Sequence, residues 1–376
     1  MLISSQFDAG AIEVVAATDP SNIQLNIRAD NAAQFRQWFY FRAHDVANTE
    51  LTLHLLNAGD CTYDQGWEDY QAMASYDRHN WFRVPTDYDG KVLTIRHRPE
   101  HDNVYYAYFA PYAYERHLDL IARAAITENV RISSLGNSVE ERPIDAIHWG
   151  SGKLPVWIIA RQHPGETMTE WCIEGLLTRL IDDSDPVARQ LAQLATLHIV
   201  PNMNPDGAIH GNLRSNAVGI NLNREWMQPG IIRSPEVCRV RQAMHDTGVA
   251  LFLDIHGDET IPYVFTDGCE MIPGYAPELI AQQQEFTQLL QQISPDFQTE
   301  HGYAPDRFSD EMLTLASKYV GHTFGCVSLT LEMPFKDNAN LPDAHSGWSV
   351  ARSKNLGAAL LTPILAHCQA LQHQPK

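Results

Sequence analysis

The sequence predicts an α/β protein: a mixed sheet flanked by helices, preceded by a small antiparallel β-sandwich domain. Three observations carry that prediction. Up to about residue 112, apolar and aromatic residues alternate with period two, and no helical period persists for three turns. Beyond it, short apolar runs alternate with helical stretches, the pattern of strands covered by helices. Between the two, the stretch APYAYERHLDLIARAA marks a change of period rather than a flexible, low-complexity hinge. The expected division is therefore 1–112 for the sandwich and 113–376 for the helix-covered sheet, and 376 residues suffice for two full cores.

In chain order, QWFYFRAHDV and VYYAYFAPY are aromatic-rich strands of the kind a half-buried pleated surface favours. ELTLHLLNAG puts Leu51, Leu53 and Leu55 on one face. WFRVPTDYDGKVLTIRH reads as two strands joined at Asp89-Gly90, a pair that tolerates positive φ. In the second part the strands are LPVWIIA (154–160), TLHIVP (196–201), VALFLDIH (249–256) and CVSLTLEM (326–333). Helices start at Ser184-Asp185-Pro186 and Ser234-Pro235, each a capping residue ahead of a first-turn Pro. After Glu166, Met168, Trp171, Cys172, Leu176 and Leu180 recur at helical steps, giving an apolar stripe on a helix that Glu166 opens. Asn204-Pro205-Asp206-Gly207 reads as a turn.

Apolar residues make up 44% and charged residues 19%, a globular composition. The net charge is −19, from 27 basic and 46 acidic residues, which argues against nucleic acid or an anionic membrane surface as the main partner. The six cysteines (Cys61, Cys172, Cys238, Cys269, Cys326, Cys368) are scattered without a CxxC pair, as free thiols in a reducing compartment would be. The chain shows neither a signal peptide nor an apolar run of membrane-spanning length, so a cytoplasmic location is expected.

The chemistry-bearing signal is a His and a Glu three residues apart, which occurs three times: His97–Glu100, His163–Glu166 and His256–Glu259. Ligands need rigid placement at a shared point, and in open α/β sheets that point lies at the carboxyl ends of strands. His163 and His256 each follow an apolar strand, whereas His97–Glu100 sits in a polar loop of the sandwich and reads as a coincidence of composition. His163 and Glu166, with Pro164-Gly165 bending the chain between them, can bind one ion while His256 completes the set without Glu259. Two His and one Glu suit a catalytic zinc that keeps a fourth position for water.

Around this set, Arg214, Asn223 and Arg224 form a donor cluster suited to a carboxylate and a polarised carbonyl, though two surface Arg residues in a loop would look the same. Glu332 lies inside the apolar run SLTLEMPF, where a carboxylate needs a partner or a task. A general base and a buried salt bridge account for it equally well.

Five motifs in order, HPGE, NPDG followed by GNLR, NLNREW, DIHG and the Glu of TLEMPF, resemble the M14 zinc carboxypeptidases and, within them, the cytosolic carboxypeptidase branch. QWFYFRAHDV and YFAPYAYER resemble that branch's β-sandwich domain. The resemblance implies one Zn2+ ion held by His163, Glu166 and His256. It implies Glu332 as the base that takes the water's proton and passes it to the departing amine, and Arg214 as the stabiliser of the oxyanion. Asn223 and Arg224 would hold the free carboxylate of a peptide or protein C-terminus, making the protein an exopeptidase. Acidic C-terminal residues would be preferred if Lys318 or Arg307 lines the side-chain pocket. Asn221 stands where the family generally has an Asp that steadies the first His ligand, so that support lacks a charge. Tyr303 and Tyr319 are candidates for the family's mobile tyrosine. Asp258 and Glu259 read as surface or outer residues, and Asp254 as either. Two further readings are a zinc deacylase of small N-acyl amino acids on the same fold, and a catalytically silent module that binds C-termini. The Arg214, Asn223 and Arg224 set speaks against the former, and the presence of Glu332 with all three ligands against the latter.

Overall fold

The computed structural model describes residues 1–304 and 312–373. Its first part runs through β1 (Leu2–Ser4), β2 (Glu13–Ala16), β3 (Ile23–Asn26), β4 (Tyr40–His44) and β5 (Leu51–Leu55). It continues with β6 (Ala72–Ser75), β7 (Phe82–Val84), β8 (Thr86–Tyr88), β9 (Leu93–His97) and β10 (Asn103–Ala107). These strands form two five-stranded sheets, in the orders β1-β4-β10-β6-β7 and β2-β3-β5-β9-β8. Leu51, Leu53 and Leu55 are buried between them while Thr52 and His54 are half-buried, as period-two alternation requires.

Two local expectations need correction. The sandwich is not purely antiparallel, because β3 and β5 pair in parallel. The chain leaves their sheet through β4 before returning, and such a crossover is what parallel neighbours require. The stretch around Asp89-Gly90 holds three strands rather than two. Pro85, which has no N–H to donate, separates β7 from β8, and these two fall in different sheets.

The second part begins with α1 (Tyr114–Ala125), followed by β11 (Val130–Asn137), β12 (Pro143–Trp149) and β13 (Leu154–Ala160). Then come α2 (Met168–Leu180), α3 (Pro186–Leu194), β14 (Ala195–Val200), α4 (Pro205–His210) and α5 (Pro235–Thr247). The rest is β15 (Leu251–Asp258), β16 (Phe265–Asp267), α6 (Pro277–Ile293), α7 (Ala316–Phe324), β17 (Val327–Pro334), α8 (Val350–Ala359) and α9 (Leu361–His373). The seven strands form one mixed sheet, β11-β12-β14-β13-β15-β17-β16. Its four central strands, β14, β13, β15 and β17, are mutually parallel and are the four apolar runs read from the sequence. Being covered on both faces, they are buried almost throughout.

The helix starts read from the sequence are met in part. Asp185 caps α3, its Oδ1 accepting from the N–H groups of Val187 and Ala188. Ser234 stands at the N-cap of α5, but its hydroxyl is engaged with Glu225 and Gly230 instead. Glu166 does not open α2. The helix begins at Met168, because a turn closed by the Glu166 N–H on the His163 carbonyl holds Glu166 outside it. Asn204-Pro205-Asp206-Gly207 is not a free-standing turn but the start of α4, with Asn204 accepting from the Gly207 N–H.

Helices α2 and α8 touch backbone to backbone. A Cβ added at Gly175 would lie 2.0 Å from the Lys354 carbonyl oxygen, and one at Gly357 would lie 1.9 Å from that of Cys172. The sandwich is bound to the second part by the stacked rings of Tyr108 and Phe335, whose centroids are 4.3 Å apart. The guanidinium of the half-buried Arg83 donates to the carbonyls of Phe335 and Trp348. All six cysteines are free thiols. Among the described residues no helix is long and apolar enough to cross a membrane.

Candidate metal centre and active site

The carboxyl ends of β13, β15 and β17 bring the chemistry together. Beyond β13, the buried Arg161 takes a left-handed φ of 58° and turns the chain. Its guanidinium holds that turn, donating to the Pro164 and Tyr112 carbonyls and to Glu170. Nothing in the residue pattern announced this role for Arg161. The turn aims His163 at the end of β15, where His256 pairs in register with Glu332 of β17.

His163 Nδ1 lies 2.6 Å from Glu166 Oε1, and His256 Nδ1 lies 2.8 Å from Glu166 Oε2. All three side chains are buried, and one ligand atom from each lies within 4.8 Å of the others. Among the described residues this is the one such group of three or more His, Cys, Asp or Glu. Each imidazole is oriented from behind. His163 Nε2 faces Asn221 Oδ1 at 3.0 Å, and His256 Nε2 faces Asp254 Oδ2 at 3.0 Å. Gln162 donates to Asp254 and accepts from the Trp226 indole, which fixes the carboxylate in turn. Asp254 is therefore the partner of the second imidazole, and Asn221 serves the first with a neutral oxygen.

The charges around the two imidazoles act in opposite directions. Burial disfavours charge on His256, yet Asp254 and Glu166 outweigh it and hold its pKa well above the ordinary imidazole value. Burial, joined by the Arg214 charge, pushes His163 down to about 3, so it stays neutral with a lone pair available. Glu166 resists burial through the two imidazoles and keeps its pKa below the usual carboxylate range. Two imidazole nitrogens and one ionised carboxylate, each supported by a hydrogen-bond partner, suit a divalent ion such as zinc.

Glu332 is buried, with Oε1 2.9 Å from the Tyr303 hydroxyl and Oε2 without a hydrogen-bond partner among the described residues. Burial raises its pKa well above the usual carboxylate value against the pull of His256, and Glu166 and Asp258 raise it further. The same hydroxyl lies 2.8 Å from Asp258 Oδ2, so of the two candidate tyrosines it is Tyr303 that lies at the site. Tyr319 packs instead against Trp226, with its hydroxyl at His245.

A cavity of about 420 Å³ is lined by these groups together with Arg214, Asn223, Arg224, Asp258, Glu259 and Tyr63. Asp258 and Glu259 are thus not surface residues but buried at the site. Burial holds the Glu259 carboxyl well above its ordinary range, Glu166 adding to the shift and Arg214 opposing it. Asn223 is fixed by the Ala316 N–H, which donates to its Oδ1, and Arg224 donates to the Asn223 carbonyl. Lys318 is buried beside a second cavity of about 300 Å³, with its ammonium 3.0 Å from Asp267 Oδ2. Asp267 lines both cavities. Arg307 lies outside the described residues.

His97 stands apart, as expected, but not in a solvated loop. It ends β9, half-buried, with Nδ1 2.9 Å from the Tyr106 hydroxyl and Phe82 edge-on to its ring. Glu100 is exposed.

Comparison with known proteins follows the same division. A family model described as the cytosolic carboxypeptidase N-terminal domain matches residues 3–109, and one described as zinc carboxypeptidase matches residues 114–347. A protein of Zymomonas mobilis is 48% identical over 355 residues, covering 94% of this chain and 93% of its own. A metallo-carboxypeptidase from Burkholderia cenocepacia is 52% identical with a TM-score of 0.97, covering 98% of this chain and 99% of that one. One from Pseudomonas aeruginosa, in complex with (2-guanidinoethylmercapto)succinic acid, is 46% identical with a TM-score of 0.95, covering 97% of this chain and 98% of that one. The chain spans 29% of mouse cytosolic carboxypeptidase 4 and 54% of mouse cytosolic carboxypeptidase 6, each matched at under 30% identity.

Proposed function

Because this chain belongs to the zinc carboxypeptidase family, in its cytosolic carboxypeptidase branch, we propose that it binds one zinc ion through His163, Glu166 and His256 and releases C-terminal residues from peptides or protein tails. One observation carries the ligand assignment. Two imidazole Nδ1 atoms and one carboxylate converge within 4.8 Å, and each imidazole's other nitrogen is already engaged. When bound, zinc supplies Lewis acidity toward the scissile carbonyl and lowers the pKa of water.

The chain's own groups supply the rest. Glu332 accepts a proton from the attacking water on its unpartnered Oε2 and delivers it to the departing amine. Arg214, whose charge is favoured by Tyr63, Glu259 and Glu166 despite burial, stabilises negative charge developing on the carbonyl oxygen. Arg224 and the Asn223 amide, on the single 3-10 turn Leu222–Arg224, hold the substrate's terminal carboxylate. That the Pseudomonas relative holds a succinic acid derivative supports a carboxylate-binding role for this cavity.

For the side chain, we propose a preference for acidic C-terminal residues, drawn by Lys318 and moderated by Asp267. We take the chain to divide at 112/113, in the loop between Ala107 and Tyr114, and to act in the cytoplasm. With a net charge of −19, neither nucleic acid nor a membrane surface enters this reading.

The test is mass-spectrometric cleavage of peptides ending in Glu, Asp, Lys, Phe and Leu, each with a free and an amidated terminus. Single-residue release from free termini alone supports the reading, and Asp267→Asn then widens the margin of Glu over Leu by roughly tenfold, one charge near the pocket being worth about 1.4 kcal/mol. Hydrolysis of small N-acyl amino acids to a free acid and a free amino acid, without peptide cleavage, would replace the reading with a deacylase.

A further inference from the structure

Arg214 is held from outside its own part of the chain. The buried Asp30, in the loop between β3 and β4 of the sandwich, turns its carboxylate onto the segment that carries Arg214. Its Oδ1 accepts from the Leu213 N–H at 2.6 Å, and its Oδ2 from the Arg214 N–H at 3.0 Å and the Ser215 N–H at 2.8 Å. The Ser215 hydroxyl donates to the same Oδ2 at 2.8 Å. Three consecutive backbone donors and one side-chain donor thus converge on one carboxylate, which fixes the peptide planes on both sides of the Arg214 Cα.

The sandwich also reaches the side chain. The Tyr63 ring lies 5.5 Å from the Arg214 guanidinium carbon, at cation–π range. Nearby, Gly66 lies against Glu259 so closely that a Cβ there would sit 2.6 Å from the Glu259 carbonyl oxygen. A guanidinium aimed at a developing charge must be placed to well under an ångström, and a displacement of that size costs orders of magnitude in rate. A loop segment lacks that rigidity by itself, and the carboxylate supplies it.

We infer that Asp30 is a positioning residue for Arg214, and that the N-terminal sandwich is thereby an integral part of the active site rather than an appended module. The inference rests on the role of Arg214 given above. The C-terminal carboxylate of the substrate is held by Asn223 and Arg224, whereas the Asp30 carboxylate binds the Leu213–Ser215 segment, so its loss acts on turnover more than on binding.

The test uses the full-length, zinc-loaded chain and compares Asp30→Asn with Asn31→Ala. The latter removes the neighbouring hydrogen bonds to Asn212 and Ala217 but leaves the Arg214 amides in place. Metal content, melting temperature, kcat and KM are measured for each. We expect Asp30→Asn to lose roughly 10- to 100-fold in kcat with KM within about threefold and zinc retained, whereas Asn31→Ala keeps kcat within about twofold. In an Arg214→Ala background, Asp30→Asn should cost nothing further. If Asp30→Asn does not fold, Ser215→Ala, which removes one of the four bonds, should show the same kcat-selective loss at about threefold. A folded Asp30→Asn variant with wild-type kcat overturns the inference. So does an equal loss in Asn31→Ala, or a further loss in the Arg214→Ala background. Absence of any cleavage by the wild-type chain would instead count against the carboxypeptidase reading itself.

Discussion

Glu332 and Asn221 are where single side chains test the chemistry. Among the described residues Glu332 Oε2 is buried without a hydrogen-bond partner, which favours the proposed general base over the buried salt bridge that its sequence context left open. Glu332→Gln keeps the shape and removes the base, so kcat should fall by about 10³-fold with zinc content unchanged, read by steady-state kinetics beside metal analysis. Asn221 supports the His163 imidazole without charge. Asn221→Asp should make that ligand more basic and tighten zinc binding by about tenfold, measured by competition with a chelator. The cluster of His163, Glu166 and His256 was legible in the sequence because these residues sit beside apolar strands whose ends can be counted. Asp254 and Asp30 were not, since the position of a carboxylate behind an imidazole or under a loop depends on long-range packing. For Asp258 and Glu259 the surface alternative fails because both are buried, which polarity alone cannot report.

Helices α1, α2 and α8 set the frame behind the site. His117 of α1 is buried between Glu170 of α2 at 3.0 Å and Asp145 of β12 at 3.2 Å. Burial works against its charge, but the two carboxylates win and raise its pKa from 6.5 to about 9. Folding thus favours the protonated imidazole. The stability it contributes, about 3 kcal/mol, is fully present below pH 6.5 and is lost as pH rises through 9. Thermal melts from pH 6 to 10 should show this decline, and His117→Gln should flatten it. At the crossing of α2 and α8, Gly357→Ala forces the backbones apart and should destabilise the fold by about 3 kcal/mol in denaturant titrations. The four central strands of the mixed sheet were legible from apolar runs to within two residues, and the start of α3 from its Asp-Pro pair, whereas β11, β12 and β16 carried no such run. The short β7 and β8 were not, because Pro85 breaks an alternation that looks continuous in the sequence.

At the scale of the whole molecule, the sandwich and the mixed sheet are locked through Tyr108 on Phe335 and through Arg83, and they share one cavity in which Tyr63 of the first faces Arg214 of the second. The change of period near residue 112 suggests two units, but period says nothing of what one unit does to the other. The central claim, a single-zinc carboxypeptidase, is tested most directly by titrating metal-stripped protein with zinc while following C-terminal residue release by mass spectrometry. The account predicts no release without metal, a linear rise to one equivalent of zinc per chain, and a plateau beyond it. Full release by the stripped protein, or none at a full equivalent, would contradict it.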